Sequence, residues 1–489
     1  MNVYKILFFI FFVIGLLAAL CLVFPEKGLA LGEHRFFLPS LEEVMIREKS
    51  QSAVEKMREL ENSMHMQFRE DSLLNEKQKT YKAYRDTLKF YTDFFINHPS
   101  RIDLPEKDYT FFHPLFVNLD NSKQDNEVIH ILHYGDSQIE GDRITGAFRQ
   151  KMQEKFGGRG PGLIPIVQPI PSASVAQTAS KNIARYTVAG NYVNKAEHRR
   201  YGVLGQTAHI YGSGYISVNA RNWKNTFENV RDFSKVKVFV NRNNPDFQVS
   251  ISAHDKESIV KTIEEEKESL SVLTWEFDNP IKHIAVHFSG SGEVGAISLD
   301  GTSGVTVDNI PLRGSSGTFF SGIDVASISP VLKELNTQLI ILQFGGNMMP
   351  SMKTTKQIET YKEQMGKQIR FFQKISPDTK ILLIGPSDMS TKIDGRLQSY
   401  PMLKETADAL KEAALENGAA FWNMYEVMGG ENSMIEWVNN KPPLAAPDYV
   451  HFTPRGSDKI AEILFESLMI YYEYYRFTNN SVPAAIDHE

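Results

Sequence analysis

The chain has 489 residues, of which 42% are hydrophobic, and its 53 basic and 59 acidic side chains leave a net charge of −6. This composition excludes a wholly disordered chain and gives no sign of a nucleic-acid partner, and the mean hydropathy of −0.29 excludes a protein with many membrane spans. The single cysteine, Cys21, excludes an internal disulfide framework and a cysteine-based metal site.

The amino-terminal segment contains an uncharged apolar run over residues 6–24. About 20 apolar residues cross a bilayer, so we expect a membrane anchor within residues 1–30. Lys5 precedes the run, which favours an amino terminus in the cytoplasm and export of the remainder. Two alternatives stay open: cleavage of a secretory signal near residues 28–30, and lipidation of Cys21.

Residues 31–125 are charged and carry apolar side chains at helical spacing, with neither Pro nor Gly between Leu41 and Asn97. This pattern predicts one or two amphipathic helices. We therefore expect a helical stalk over residues 31–125.

The remainder alternates strands and helices on both sides of a segment with a different texture. The β-branched run Glu127–His133 predicts a strand, and the pattern over Ile144–Lys155 predicts a helix. After Gly304, continuous apolar strands again alternate with amphipathic helices, which is typical of a parallel sheet covered on both faces. The sequence thus predicts an α/β domain in two pieces, residues 126–171 and 299–480, followed by a disordered tail over 481–489.

Between these pieces, residues 172–298 show short alternating segments separated by Gly, Asn, Asp and Pro. This pattern predicts an inserted β-sandwich. The insert contains four aromatic residues, Tyr211, Tyr215, Trp223 and Trp275. Their side chains have two alternative roles, stacking on sugar rings or packing in the core of the sandwich.

Candidate catalytic side chains follow the predicted strands. Ser137 comes after the first strand, Gly314 and Asn347 follow two later ones, and Asp448 and His451 precede the last helix. In an open parallel sheet these positions meet at one edge. A Ser137 nucleophile needs a base, His451, which Asp448 can orient. The amides of Ser137 and Gly314 and the side chain of Asn347 are candidate oxyanion donors.

The ordered blocks Gly135-Asp136-Ser137, Gly314, Gly345-Gly346-Asn347 and Asp448-x-x-His451 resemble those of the SGNH (GDSL) hydrolase superfamily. The resemblance implies a flavodoxin-like three-layer α/β/α fold and a Ser-His-Asp esterase without metal or cofactor. Two departures stand out: Met348 replaces an Asp of the third block, and Gln138 replaces the Leu of the first. The run over residues 133–142, with an inserted β domain, is similar to bacterial envelope O-acetylesterases acting on peptidoglycan or other polysaccharides.

We therefore expect an enzyme that removes O-acetyl groups from a cell-envelope glycan through an acyl-enzyme on Ser137. An O-acetyltransferase using the same acyl-enzyme and a non-catalytic glycan-binding or scaffold protein are the alternatives. The expected partners are the O-acetylated glycan, the membrane through residues 6–24, and other envelope acetylation or cell-wall proteins. The expected location is the inner membrane with the catalytic part in the periplasm, or secretion if the amino-terminal segment is cleaved.

Other motifs predict no metal or phosphate site. The sequence contains no His-Glu-x-x-His and no Walker motif. His283 and His287 share one strand face, and we interpret them as solvated surface histidines. The Gly-rich connector over residues 157–162 does not stand between a strand and a helix, as a phosphate-binding loop would.

Overall fold

A computed structural model describes residues 12, 29–31, 34–36, 54–62, 81–189, 195–222, 227–253 and 258–480. The run expected to cross a membrane, residues 6–24, lies outside this part except for Phe12, as does the expected tail over residues 481–489. Among the described residues, no helix is both long enough and apolar enough to span a bilayer.

Before the insert, the described part of the chain contains four α-helices and four strands. In chain order these are β1 (Leu29–Leu31), β2 (His34–Phe36), α1 (residues 54–62), α2 (Tyr81–Asn97), β3 (Ile102–Asp103), α3 (His113–Asn121), β4 (Val128–Gly135) and α4 (Arg143–Phe156). Strand β4 and helix α4 agree closely with the strand and helix predicted over Glu127–His133 and Ile144–Lys155. Most side chains of β4 are buried, as expected for a strand that is covered on both faces.

The inserted segment is built of strands. In chain order these are β5 (Gly162–Ile164), β6 (Val175–Ala179), β7 (Ile183–Thr187), β8 (Gln206–Ile210), β9 (Ser213–Ala220), β10 (Phe233–Asn243), β11 (Phe247–Ser252), β12 (Ile259–Ile263), β13 (Ser271–Ile281), β14 (His283–Ser289) and β15 (Gly292–Asp300). They form two antiparallel sheets, in the orders β13-β10-β15-β8-β7, with β5 added to β15, and β12-β11-β14-β9-β6. The sequence places the insert at residues 172–298, and its strands run from Gly162 to Asp300.

The two sheets of the insert bury alternate residues against each other. Val236 and Val238 of β10 and Ile216 and Val218 of β9 are fully buried in a shared core. Trp275 belongs to this core as well, with 3% of its surface exposed. The period of two in these strands therefore produces a β-sandwich.

After the insert the alternation of strand and helix resumes. In chain order the elements are β16 (Gly304–Pro311), α5 (Val325–Glu334), β17 (Thr337–Gln343), α6 (Thr355–Ile375), β18 (Lys380–Ile384), β19 (Ser390–Ile393), β20 (Arg396–Ser399), α7 (Leu403–Glu416), β21 (Ala420–Trp422), α8 (Met424–Val427), α9 (Ser433–Asn439) and α10 (Pro454–Asn480). Helix α7 begins at Leu403, after the β19–β20 hairpin. Pro401 disfavours a helical backbone at Tyr400, and the residues before it pair in the β19–β20 hairpin.

The α/β domain is organised around one six-stranded sheet in the order β16-β4-β17-β18-β21-β3. The first five strands are parallel, while β3 pairs antiparallel with β21, so the sheet is mixed rather than purely parallel as expected. Ile131 and Ile341 pack on the face that is covered by α4 and α10. Leu132 and Leu342 pack on the opposite face, which α5, α6 and α7 cover. Helices therefore cover the sheet on both sides.

Residues 81–121, which the sequence assigns to a helical stalk, instead pack into the α/β domain. The ring of Phe95 in α2 stacks on Tyr471 of α10 with centroids 4.5 Å apart, and Tyr91 meets Tyr474 edge-on at 5.5 Å. The Tyr471 hydroxyl also bonds to the backbone of Ile102 in β3. The amphipathic pattern identified the apolar face of α2. The helix that packs against this face, α10, lies almost four hundred residues further along the chain.

The insert joins the α/β domain through a closely packed and charged junction. A Cβ at Gly158 would lie 2.1 Å from the carbonyl oxygen of Val305, so the glycine-rich connector packs directly against the backbone of β16. Nearby, the buried His130 ring contacts Asp308 Oδ2 at 2.8 Å and Asp300 Oδ2 at 3.6 Å. Asp308 lies within β16, and its Oδ1 accepts the Leu163 N–H at 2.7 Å.

Candidate active site

Ser137 lies in the tight turn that follows β4. The turn needs glycine at its start, since a Cβ at Gly135 would lie 2.9 Å from the Ile139 side chain and 3.2 Å from the Gln343 carbonyl oxygen. The turn presents the Ser137 hydroxyl to His451, with Oγ 2.8 Å from Nε2. The structure thus joins two residues that are 314 positions apart in the sequence.

His451 is held by the loop that precedes α10. One oxygen of Asp448 accepts the backbone N–H groups of Val450 and His451 at 3.0 Å each, and the other lies 2.8 Å from His451 Nδ1. Since an ionised carboxylate only accepts, Nδ1 carries the ring proton and Nε2 accepts the hydrogen bond from Ser137. Burial raises the pKa of Asp448, but the hydrogen bonds from His451 and Val450 outweigh this effect and hold it below its usual range.

The three expected oxyanion donors differ in their availability. The backbone N–H groups of Ser137 and Gly314 find no acceptor within the described part of the chain. The Asn347 amide, in contrast, donates to Asp136 Oδ2 and to the Ser315 carbonyl oxygen, both at 3.0 Å. Asn347 lies where the sequence places it, but both of its N–H bonds are occupied in this structure.

Asp136 is a site residue whose role sequence reasoning missed. Its side chain is 5% exposed and accepts the Gln138 N–H as well as the Asn347 amide. Burial raises the pKa of its carboxyl to about 6, although these hydrogen bonds and the nearby His451 oppose the shift. The only sequence signal for Asp136 was its place between Gly135 and the candidate nucleophile.

Two more polar residues brace the same turn. The Gln138 amide donates to the Val450 carbonyl oxygen at 2.6 Å and so connects the Ser137 turn to the loop that holds His451. Arg143 donates to the Ser137 carbonyl oxygen at 3.3 Å and to the Glu140 carbonyl oxygen at 2.7 Å. Gln138, which departs from the Leu of the SGNH first block, therefore has a structural role of its own.

Two cavities flank these residues. The smaller one, about 190 Å³, contains Ser137, Asn347 and His451 together with Phe344 and Met389. A larger cleft of about 510 Å³ lies between the α/β domain and the insert, and no residue lines both cavities. Gly314 lines the larger cleft and Asp448 lines neither cavity, so the five predicted residues do not share a single cavity.

Other candidates from the sequence lie away from this site or outside the described part. Tyr211 and Tyr215 are 54% and 47% exposed on the insert, whereas Trp275 is buried and Trp223 is outside the described residues. His283 bonds to the Ser217 hydroxyl at 3.1 Å. Among the described residues, no group of three or more His, Cys, Asp or Glu side chains is placed to hold a metal ion.

Comparison with known proteins identifies the domain that carries this site. Residues 293–459 match the GDSL-like Lipase/Acylhydrolase family. The match includes Gly314, Asn347, Asp448 and His451, while Ser137 precedes it because the insert separates β4 from the rest of the domain. No curated protein sequence matches the chain.

Several solved structures resemble the chain. A peptidoglycan O-acetylesterase is 21% identical, with a TM-score of 0.58, over 74% of this chain and 96% of that one. A family two carbohydrate esterase from Cellvibrio japonicus is 10% identical, with a TM-score of 0.23, over 62% and 99% of the two chains. An acetyl xylan esterase is 15% identical, with a TM-score of 0.24, over 34% and 81%.

The first of these likenesses shows that the fold of most of the chain is shared with a peptidoglycan O-acetylesterase. The family match shows independently what kind of domain surrounds the Ser137–His451 pair. The chain therefore contains a GDSL-like lipase/acylhydrolase domain, and its fold resembles that of a peptidoglycan O-acetylesterase.

Proposed function

We propose that the protein is a serine esterase that removes O-acetyl groups from a cell-envelope glycan. The observation that carries this proposal is the continuous chain of hydrogen bonds from Ser137 Oγ through His451 to Asp448, with both links 2.8 Å long. This geometry gives a hydroxyl a base in hydrogen-bond contact, and gives that base an orienting carboxylate.

The reaction would run in two halves. Ser137 Oγ attacks the acetyl carbonyl carbon while His451 Nε2 accepts its proton. The tetrahedral intermediate then expels the sugar oxygen, which takes that proton from His451 and leaves an acetyl-enzyme. Water attacks this ester with His451 again acting as base, and acetate and free Ser137 result.

Negative charge develops on the carbonyl oxygen in both halves of the reaction. The N–H groups of Ser137 and Gly314 are the donors that have no protein acceptor among the described residues. Asn347 can add a third hydrogen bond when the oxyanion replaces the Ser315 carbonyl oxygen as its acceptor.

The shape of the smaller cavity supports a short acyl group. At about 190 Å³ it is smaller than the roughly 300–1,000 Å³ of sites that enclose drug-sized ligands. Phe344 and Met389 close its apolar side. The shared fold with a peptidoglycan O-acetylesterase supports a glycan as the carrier of the acetyl group.

The proposed location is the cell envelope. The uncharged run over residues 6–24 would anchor the chain in the inner membrane and place the hydrolase domain in the periplasm. The anchor would hold the enzyme beside its glycan and beside other acetylation or cell-wall proteins.

The direct test is to incubate the full-length protein with O-acetylated peptidoglycan and measure released acetate, adding an oligosaccharide acceptor in parallel. We expect acetate release, and we expect a fluorophosphonate probe to label wild-type protein but not Ser137→Ala. Acetyl transfer to the oligosaccharide without acetate release would identify a transferase instead. Absence of labelling in folded wild-type protein would reject the serine mechanism and favour a non-catalytic glycan-binding role.

Asp136→Asn should separate activity from stability. The folded-state pKa of Asp136, about 6, lies above its ordinary value of 3.8, so its ionisation destabilises the fold above pH 6 and this penalty disappears as the pH falls below about 4. The neutral variant is therefore expected to gain up to about 3 kcal/mol of unfolding free energy at pH 7. Its kcat should fall about tenfold to hundredfold, because a weaker acceptor holds the Asn347 amide.

The matched control is Asp388→Asn. Asp388 is also buried, burial likewise raises its pKa to about 6, and it bonds to Ser399 and the Met434 N–H rather than to Asn347. Chemical unfolding and initial rates at pH 7 are measured for both variants. A similar loss of kcat in the control would show that Asp136 does not act through Asn347.

A further inference from the structure

The larger cleft, between the α/β domain and the insert, contains only Gly314 of the residues proposed for the acyl chemistry. We propose that it binds a carboxylate group carried by the glycan, with Arg185 as the ligand. This inference rests on the proposed esterase function and extends it by naming the chemical class of the substrate: an anionic, carboxylate-bearing glycan.

The cleft is mainly apolar and its walls come from both units. Strand β5 and the segment after it supply Leu163 and Ile170. Strand β8 and the loop before it supply Gln206 and Leu204, and Leu312 follows β16. Its volume of about 510 Å³ is in the range of sites that hold small ligands, and apolar walls with few polar groups are typical of such sites. Apolar side chains also suit the C–H faces of sugar rings.

Arg185 introduces an uncompensated positive charge into this cleft. It lies on β7, on the same strand face as Ile183, which packs in the sandwich core, and Thr187, which lines the cleft. Its Nε donates to the Gln206 side-chain oxygen, while its two terminal nitrogens find no acceptor in the described part of the chain. Burial also lowers the pKa of Arg185, which reflects the penalty of desolvating a cation.

The other charged groups of the cleft neutralise one another. Arg149 forms a bidentate pair with Asp142, at 2.7 and 2.9 Å. Glu140 lies 3.8 Å from Arg313 and 4.0 Å from Arg143. Arg185 is therefore left as the single excess charge among the charged residues that line the cleft.

A single half-buried guanidinium selects the class of anion. Its planar fork matches the two oxygens of a carboxylate, and charge-assisted hydrogen bonds of this kind are stronger than neutral ones. A phosphate monoester carries close to two negative charges at pH 7, so one arginine would leave part of its charge uncompensated. The cleft thus fits a singly charged carboxylate better than a phosphate.

Two chain segments connect the cleft to the site of chemistry. The Ser137 turn continues into Glu140 and Gly141, which line the cleft, and the Glu140 N–H donates to the Ser137 carbonyl oxygen at 3.3 Å. On the other side, β16 ends in the cleft at Pro311, and Gly314, a proposed oxyanion donor, lines the cleft just after it. A glycan whose acetyl group reaches Ser137 can therefore place a neighbouring acidic unit against Arg185.

The test compares kcat/KM of the full-length protein on three acetylated substrates. These are an O-acetylated oligouronide, an O-acetylated peptidoglycan fragment with its peptide carboxylates, and a neutral O-acetylated xylo-oligosaccharide. We expect wild-type protein to prefer at least one anionic substrate, and the better one identifies the source of the carboxylate. Arg185→Gln should lower the anionic-to-neutral ratio about tenfold to hundredfold, mainly through KM.

Two further variants sharpen the result. Arg185→Lys keeps the charge without the fork and should lose part of the preference; it also decides the matter if Arg185→Gln does not fold. Arg159→Gln removes an exposed arginine that pairs with Asp232 outside the cleft, and it should keep the wild-type ratio. Thermal unfolding midpoints near that of the wild type show that the variants are folded.

The outcomes distinguish this inference from the proposed function. Hydrolysis of all three substrates with an unchanged ratio in the folded Arg185 variants would overturn the carboxylate site and leave the esterase intact. If no substrate is hydrolysed, binding of a non-acetylated oligouronide to Ser137→Ala protein is measured by calorimetry. Arg185-dependent binding would then support the site although the esterase is rejected, and absence of binding would reject both.

Discussion

Replacement of Ser137 by alanine is expected to lower kcat on an O-acetylated glycan or an aryl acetate by about 10⁴- to 10⁶-fold. The variant lacks the oxygen that would carry the acetyl group, while His451 remains oriented by Asp448 at 2.8 Å. The backbone N–H donors proposed for the oxyanion also remain, so we expect a low residual activity from slow hydrolysis by water. Initial rates at saturating substrate measure the effect.

The double variant Ser137→Ala/His451→Ala tests whether the two residues act as one unit. Since His451 works by moving the Ser137 proton across a 2.8 Å contact, its removal should add little once the serine is gone. Ser351→Ala, which removes an exposed hydroxyl bonded to the Met348 carbonyl oxygen, is the matched control and should keep kcat near the wild-type value. Multiplicative losses in the double variant would contradict a shared proton-transfer unit.

The convergence of Ser137 and His451 was predictable because it follows from topology. A buried β-branched strand ends at Gly135, and parallel strands place their carboxyl ends at one edge of a sheet. The motif then supplied the residue types for acyl transfer. The same reasoning placed Gly314 after the neighbouring strand, β16, where the structure has it.

What the sequence could not predict were the polar contacts between distant elements. Asn347 was expected to offer a free amide, but Asp136, 211 residues away, and the Ser315 carbonyl oxygen take both of its N–H bonds. Likewise, a strand pattern assigns His130 and Asp308 to a face but gives no partner for either. Pairing of buried polar groups depends on strand order and register, which become visible only in the assembled sheet.

The insert interrupts the domain at a place where the site depends on precise strand pairing. Ser137 follows β4 and Gly314 follows β16, and these two strands are neighbours although the whole sandwich separates them in the chain. His130 of β4 contacts Asp308 of β16 and Asp300 at the end of the insert. The buried ion cluster therefore ties the two halves of the active site to the base of the sandwich.

Because His130 lies between two aspartates, its contribution to the unfolding free energy should depend on pH. His130→Gln should abolish this contribution. Burial alone would lower the pKa of His130, but Asp308 and Asp300 outweigh burial and raise it from 6.5 to about 10. A folded-state pKa above the unfolded one stabilises the fold fully below about pH 6.5, and this stabilisation is lost as the pH rises through about 10. The shift corresponds to about 5 kcal/mol of unfolding free energy, of which about 4 kcal/mol is present at pH 7.

His133, three residues further along β4, provides the matched control. Burial lowers its pKa to about 4, so the ring stays neutral above neutral pH, where it contacts Gln343 and Thr145 at 3.0 and 3.1 Å. In urea unfolding between pH 7 and pH 11, the deficit of His130→Gln relative to the wild type should shrink steadily as the pH rises from 7 to about 10 and level off above it. The deficit of His133→Gln should stay constant, because neither state of the wild type changes the charge of that ring in this range. A His130→Gln deficit that is equally flat would show that His130 is not held as a cation between the two aspartates.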